Sequence, residues 1–505
     1  MRAVAKETRP DIMRVMRRFV AGMLASLAAT EPAGSLRAQA PMANGQRLPA
    51  GTVIPSVRSH ADTSERYALY LPSRYDASRR WPALLVLDPR GRAITAMERF
   101  REAAERDGYV VMSSYNTLSD STEEPNVRAV NAMLADLQDE FATDTTRMYL
   151  AGMSGTARLV WSFAYKLTGH VPGILAFAAG LPWIGVEAYA RLRQPSSFAY
   201  FGGAGTSDFN FDEVRALGHA LDSLVVIPHR SEYVDGPHGW PPAAVCGDGL
   251  DWMELQAMKR GLRPRDDSLL GAWIAHRLVQ AKAAEDSSRP YDAVTRYQAI
   301  RDDFRGLRDT RVADDRLAVL ERLPAVRDRE QRDLTLQTDF ETYAQRKFRP
   351  FVLDLYNAAH PPAVEDALRT LDIRRLQRQQ RDSAHDRLAA QAAGRMLALV
   401  SVNTAFYVPR MYFAKHDPAD ALAMLAIAHE VVPESPYICF QQAKAYAELG
   451  RTSDVLASLR CAKVGGTLSV ADLRNEAAFD RLRSDTAFAA LAATLPPPAP
   501  DTADR

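Results

Sequence analysis

The sequence predicts an α/β domain, a mostly parallel sheet doubly wound by helices, followed by an all-α domain of helical repeats. Three observations carry this expectation. Between residues 65 and 262, short apolar runs alternate with amphipathic stretches, and strand–helix alternation implies a parallel sheet covered on both faces. One of these runs, Ala83-Leu84-Leu85-Val86-Leu87-Asp88, stays apolar until its last residue, as a strand buried on both faces must. Beyond Arg260 no strand-like run remains, and charges mix with alanines at helical spacing. The 505 residues are enough for two or three domains. A net charge of +1 provides no field for nucleic acid or an anionic membrane surface, and three cysteines exclude a disulfide-dense scaffold.

The chain opens on a targeting pattern. Arg14, Arg17 and Arg18 precede an apolar run over 19–29, and Ala38-Gln39-Ala40 supplies a small-residue cleavage site. This predicts a signal peptide over 1–40 and an exported protein, periplasmic or secreted; a disordered leader is the plainer alternative. The run is too short to span a bilayer permanently, so no integral membrane segment is expected after its removal. Residues 41–64 read as a polar linker. Strands are expected at 67–72, 83–88, 109–114, 148–151, 173–179 and 198–201, with a last one over 225–234 interrupted by Pro228. One helix is expected over 93–107, stopped by Gly108, and another over 126–142 with Val130, Met133, Leu134 and Leu137 on one face.

The chemistry centres on Gly152-Met153-Ser154-Gly155-Thr156. A short apolar strand ends in glycine, Ser154 follows one residue later, and an amphipathic helix begins at once. A serine on such a sharp turn is lifted clear of the sheet, with small neighbours letting strand and helix backbones approach. The Gly155 amide, first in the new helix, then faces the space where an oxyanion would form. The motif is G-x-S-G-T, with Thr156 where a second glycine is usual. A serine following a glycine is also common in ordinary turns. A nucleophile needs a base, and the base an orienting carboxylate. His238, in Gly236-Pro237-His238-Gly239-Trp240, lies in a bendable loop after the candidate last strand; its plain reading is a surface-loop histidine. Asp208 follows the 198–201 strand through a glycine-rich turn; its plain reading is a capping aspartate. Asp212 and Asp235 compete with it. The order Ser154, Asp208, His238 is the serine–acid–histidine order of α/β-hydrolases. A second oxyanion amide is expected after the 83–88 strand, from Arg90 or Gly91, because Pro89 has no N–H.

Residues 65–262, about two fifths of the chain, resemble the compact α/β-hydrolase esterases, particularly the secreted polyhydroxybutyrate-depolymerase and feruloyl-esterase-like group. The resembling residues are Tyr70-Leu71-Pro72, Trp81-Pro82 with the apolar run to Asp88, Gly152-Met153-Ser154-Gly155, Asp208, and Gly236-Pro237-His238-Gly239-Trp240. The resemblance implies hydrolysis of an ester-bearing small molecule or polymer through an acyl-enzyme, with no metal or organic cofactor. The stretch 180–197 is too short for a large lid. Within it Trp183, and beyond it Trp240, are candidates to line an acyl pocket or simply to pack.

In the second half, 263–400 reads as helical with a weak repeat around 291–297, and 401–495 as tetratricopeptide-like. Ala421, Leu425 and Ala428 recur 34 residues on as Val455, Leu459 and Ala462, while Ala443, Tyr446 and Gly450 take the small, aromatic and turn positions. Such stacked pairs suit a protein partner. The register faces Cys439 towards Cys461, and independent buried thiols are the favoured reading. The tail, 496–505, is expected to be disordered. Two function classes compete: an exported serine esterase with a helical appendage, and an interaction protein on an inactive hydrolase fold. A serine peptidase of the same fold is the smaller third possibility.

Overall fold

In the computed structural model of the chain, the described residues are 42–43, 46–119, 123–433, 435–464 and 468–497. The leader expected at 1–40 and the tail from 498 onward lie outside them. Met42–Ala43 and Gln46–Arg47 form a small antiparallel pair. The main sheet is built from β1 (Val53–Arg58), β2 (Arg66–Tyr70), β3 (Trp81–Leu87), β4 (Val110–Ser114), β5 (Thr143–Met153), β6 (Gly173–Phe177), β7 (Ala199–Gly205) and β8 (His229–Val234). Their order across it is 1-2-4-3-5-6-7-8. From β4 through β8 every neighbour is parallel, and β1 and β2 add an antiparallel edge. All residues of β3, β4, β6 and β7 are buried, the condition that a continuously apolar strand satisfies between two helical layers.

Between the strands run α1 (Ala93–Glu98), α2 (Arg101–Asp107), α3 (Glu123–Glu140), α4 (Gly155–Lys166), α5 (Gly185–Leu192) and α6 (Phe211–Leu224), and α7 (Ala243–Lys259) follows the last strand. The structure differs from the sequence reading here, most clearly at β1 and at the helix after β3. Val53–Arg58, inside the stretch read as a linker, pairs with β2; its Pro55 is compatible with a strand because β1 is an edge with one unpaired side. The helix expected over 93–107 breaks into α1 and α2 around Arg99 and Phe100. Phe100 is fully buried there and meets the Trp240 ring edge-on at 5.9 Å. Gly108, with φ of +83°, ends α2 in the left-handed conformation that glycine adopts freely.

The remainder is helical: α8 (Asp267–Asp286), α9 (Pro290–Phe304), α10 (Arg311–Leu320), α11 (Pro324–Tyr343), α12 (Arg349–Asn357), α13 (Val364–Thr370), α14 (Ile373–Arg381), α15 (Arg387–Val402), α16 (Val408–Ala414), α17 (Pro418–Val431), α18 (Pro436–Glu448), α19 (Thr452–Val464), α20 (Val470–Asn475) and α21 (Thr486–Ala492). Single π turns, Ala344–Phe348 and Asn403–Tyr407, lie just ahead of Pro350 and Pro409. Proline clashes with the carbonyl four residues before it, and a π turn relieves that clash. One apolar core runs from the sheet into α8–α10, joining Leu84 and Phe201 to Leu270, Tyr297 and Leu317. Buried Asp303 on α9 reinforces it by accepting from Trp252 Nε1 at 2.7 Å and pairing with Arg230 of β8. Pro496, counted with the tail, accepts a hydrogen bond from Val470 N at 3.1 Å.

Cys439 and Cys461, favoured as independent thiols, are joined as a disulfide, with Cα atoms 5.8 Å apart. Gly450 turns the chain between α18 and α19 with φ of +71°, so the start of one helix meets the end of the other. Helical register supplies the facing, but not the approach distance that decides bonding. Among the described residues, no helix is long and apolar enough to cross a membrane.

Candidate active site

The parallel strands bring their carboxyl ends to one edge, where ligands of such sheets bind. Four segments leave that edge: Asp88–Arg92 after β3, Ser154 after β5, 206–210 after β7 and 235–240 after β8. Ser154 sits between β5 and α4 with φ of 58° and ψ of −128°, a conformation costly for a residue with a β-carbon. Close packing holds it there. A β-carbon on Gly152 would stand 2.5 Å from Thr156 O, and one on Gly155 would stand 2.4 Å from Ser119 Cβ, so both positions need glycine.

Thr156 fits where glycine is usual because its side chain is fully buried and hydrogen-bonded. Its hydroxyl accepts from Met153 N at 3.1 Å. It lies 2.8 Å from Met153 O and 2.5 Å from Leu87 O, and donates to one of them. The elbow is thereby fastened to the end of β3, where the Asp88 loop begins. Thr156→Val should lower stability by about 1–3 kcal/mol, the cost of leaving a buried amide unsatisfied. It should also slow any reaction carried by Ser154 about tenfold by loosening the elbow. Thermal melting beside steady-state kinetics checks this, and a variant matching wild type in both would reduce Thr156 to a space-filler.

Ser154, Asp208 and His238 come together in line. His238 Nε2 is 2.9 Å from Ser154 Oγ, and His238 Nδ1 is 2.9 and 3.0 Å from the two Asp208 oxygens. A carboxylate can only accept, so Nδ1 carries the proton and Nε2 is left to accept from the serine hydroxyl. Asp208 is fully buried and the imidazole about a quarter exposed, so the acid is shielded while the base opens to the cleft. Asp208 Oδ1 also accepts from Asn210 N at 2.8 Å, and Asn210 Nδ2 donates to Ala178 O at 2.8 Å, tying the loop to the end of β6. The competing acids are occupied elsewhere. Asp212 pairs with Arg395 at 2.8 Å, and Asp235 pairs with Arg387. His229 bonds Ile227 O and Asp222.

Gly155 N–H has no acceptor among the described residues, as an oxyanion donor requires. Arg90 and Gly91, the two candidates for the second donor, both donate to Asp88. Arg90 N donates to Asp88 Oδ1 at 2.8 Å, and Gly91 N to Asp88 O at 3.1 Å. An aspartate followed by proline and glycine closes on its own backbone as an Asx turn, which directs both amides inward. Asp88 is buried and also accepts from Arg92 N, Arg92 Nε and Nη2, and Trp240 Nε1 at 2.9 Å.

Trp240 is therefore a brace for the Asp88 turn, its ring packed on Phe100 and Phe177. Trp183 meets Tyr165 edge-on at 5.3 Å, with Arg191 over its face. Its observed partners are thus on α4 and α5. Sequence reasoning missed Phe209, whose ring stacks on the His238 imidazole with centroids 4.3 Å apart. Its place directly after the acid was the available signal. It missed Arg395 as well, for which the sequence carries no signal.

No protein-family model matches the sequence, and no curated protein matches it. Solved structures do show likenesses. A ferulic acid esterase is 16% identical over 39% of this chain and 92% of its own, with a TM-score of 0.30. The S-formylglutathione hydrolase FrmB of Staphylococcus aureus is 16% identical over 40% of this chain and 96% of its own, with a TM-score of 0.33. The esterase of Pyrobaculum calidifontis is 14% identical over 50% of this chain and 94% of its own, with a TM-score of 0.32. These neighbours are esterases and serine hydrolases. At such scores the likeness carries no argument, and the chemistry rests on the side chains themselves.

Proposed function

We propose that this chain is an exported serine hydrolase that cleaves carboxylic esters through an acyl-enzyme on Ser154. The observation that carries the reading is the 2.9 Å approach of His238 Nε2 to Ser154 Oγ, with Asp208 on the opposite ring nitrogen. Ser154 Oγ attacks the ester carbonyl while its proton passes to His238 Nε2. Asp208 holds Nδ1–H and stabilises the imidazolium that forms. The carbonyl oxygen, now negative, is met by Gly155 N–H. Collapse of the tetrahedral intermediate breaks the carbon–alkoxy bond, and the imidazolium gives its proton to the departing alcohol. Water then enters, loses a proton to His238, and releases the acid with Ser154 restored. Thr156 supports activity rather than opposing it, since it holds the elbow in place by hydrogen bonds.

Export is supported by the charged and apolar pattern of the leader and by the Cys439–Cys461 disulfide, a bond that persists in oxidising compartments.

The test is a fluorophosphonate probe with peptide mapping, run beside short acyl esters and peptide amides. The reading expects a single adduct on Ser154 and turnover of esters over amides. Labelling at another serine would refute the nucleophile, and a preference for amides would move the enzyme to the peptidases.

A further inference from the structure

We infer that Arg395, on the helical half, is a positioning residue for the acid and base, and that α15 clamps both loops that carry them. The inference rests on the reading of Ser154, Asp208 and His238 given above. Arg387, Gln391 and Arg395 are spaced four apart on α15 and so share one face. Arg395 Nε donates to Asp212 Oδ2 at 2.8 Å and Nη1 to Thr206 O at 3.1 Å, so one rigid guanidinium grips the chain two residues before Asp208 and four residues after it. Its Cζ also lies 4.5 Å from the centre of the Phe211 ring. Gln391 Nε2 donates to Thr206 Oγ1 and Asp235 Oδ1, each at 3.1 Å. Arg387 pairs with Asp235, three residues before His238. The two loops are also laced to each other, through Thr206 N to Val234 O at 2.8 Å and Ser207 N to Gly236 O at 3.0 Å. A shift of α15 would thus move Asp208 and His238 relative to Ser154, which is fixed separately by β5 and α4.

Arg395 and Asp212 are both about 4–5% exposed. Burial pushes the Asp212 carboxyl up and the Arg395 guanidinium down, against the attraction between them. A buried pair of this kind adds little net stability over an apolar replacement, while removing one partner alone is strongly destabilising. Stability therefore does not discriminate between a clamp and simple glue, but catalysis does. Displacing a catalytic group by about 1 Å costs on the order of a hundredfold in rate.

The experiment is the double variant Arg395→Met with Asp212→Asn in the full chain. It removes both charges and nearly conserves volume. Melting temperature, kcat, KM for a short acyl ester and the fluorophosphonate labelling rate at Ser154 are measured together. The clamp expects a variant that still melts cooperatively, with KM within about threefold, and kcat and labelling both lowered about 10- to 100-fold. Wild-type kcat and labelling in the folded double variant would overturn it. If that variant does not fold, Gln391→Leu reads the same loops from a half-buried position. It should lower kcat several-fold at an unchanged melting temperature, and unchanged kcat would again overturn the clamp. Wild-type protein that is not labelled at Ser154 would instead bring down the nucleophile reading on which the clamp rests.

Discussion

Ser154→Ala should lower ester turnover by about 10⁴-fold or more, leaving the residue that oxyanion stabilisation and substrate binding provide alone. The expectation follows from geometry, since among the described residues the hydroxyl within reach of His238 Nε2 is that of Ser154. The backbone adds a second readout. Ser154 holds φ of 58° and ψ of −128°, strain that alanine would keep and glycine would relieve. Ser154→Gly should therefore be as inactive as Ser154→Ala yet unfold at a higher temperature, by about 1 kcal/mol of recovered strain. Activity in either variant would remove Ser154 from the chemistry. Equal melting of the two would mean the elbow stores no strain.

The sheet was legible because its strands obey a simple rule. Ala83 to Leu87 and Gly173 to Phe177 are apolar throughout, and both are buried along their whole length. The elbow was legible for a similar reason: Gly152 and Gly155 are forced by contacts within a few residues or with one neighbouring loop. Local signals fail where a partner is remote in sequence. Val53–Arg58 has polar residues and a proline, and it is a strand only because β2 offers it an edge. Sequence alone leaves Trp240 open between pocket lining and packing, because nothing nearby announces that its indole N–H would find Asp88, 152 residues earlier. Arg90 and Gly91 were reasonable oxyanion donors by position. That Asp88 captures both amides follows from how the turn closes, which depends on rotamers rather than on spacing. Arg395 is the extreme case. It meets Asp212 from 183 residues away, and an arginine in an alanine-rich helix reads as a solvated one. The reading of Cys439 and Cys461 as independent thiols failed for a smaller reason, a distance of a few ångströms that register does not specify.

Asp208→Asn should lower turnover by about 10³- to 10⁴-fold, the scale set by removing the orienting carboxylate from a serine triad, while leaving the fold intact. Both Asp208 oxygens sit at 2.9–3.0 Å from His238 Nδ1, so the carboxylate holds the imidazole in the tautomer with hydrogen on Nδ1. An asparagine there would also keep its oxygen towards Asn210 N, which Asp208 Oδ1 now accepts at 2.8 Å. Its amide N–H₂ is then turned to the ring, favouring the tautomer with Nδ1 bare and hydrogen on Nε2. That tautomer offers no lone pair to the Ser154 hydroxyl, and the base is lost without any group leaving the site. Asp235→Asn is the sharper comparison. It lies three residues from His238 but faces Thr206, Arg387 and Gln391, so it should cost no more than about tenfold. Asp212→Asn falls between them, because it strands Arg395 in a buried setting and is destabilising for that reason. Its activity should be read on the folded fraction. Steady-state kinetics on the three variants, with circular dichroism to show that each is folded, settles the order. If Asp235→Asn proved the most damaging, the orienting acid would lie on the histidine's own loop, and Asp208 would be no more than the buried cap of the turn that precedes α6.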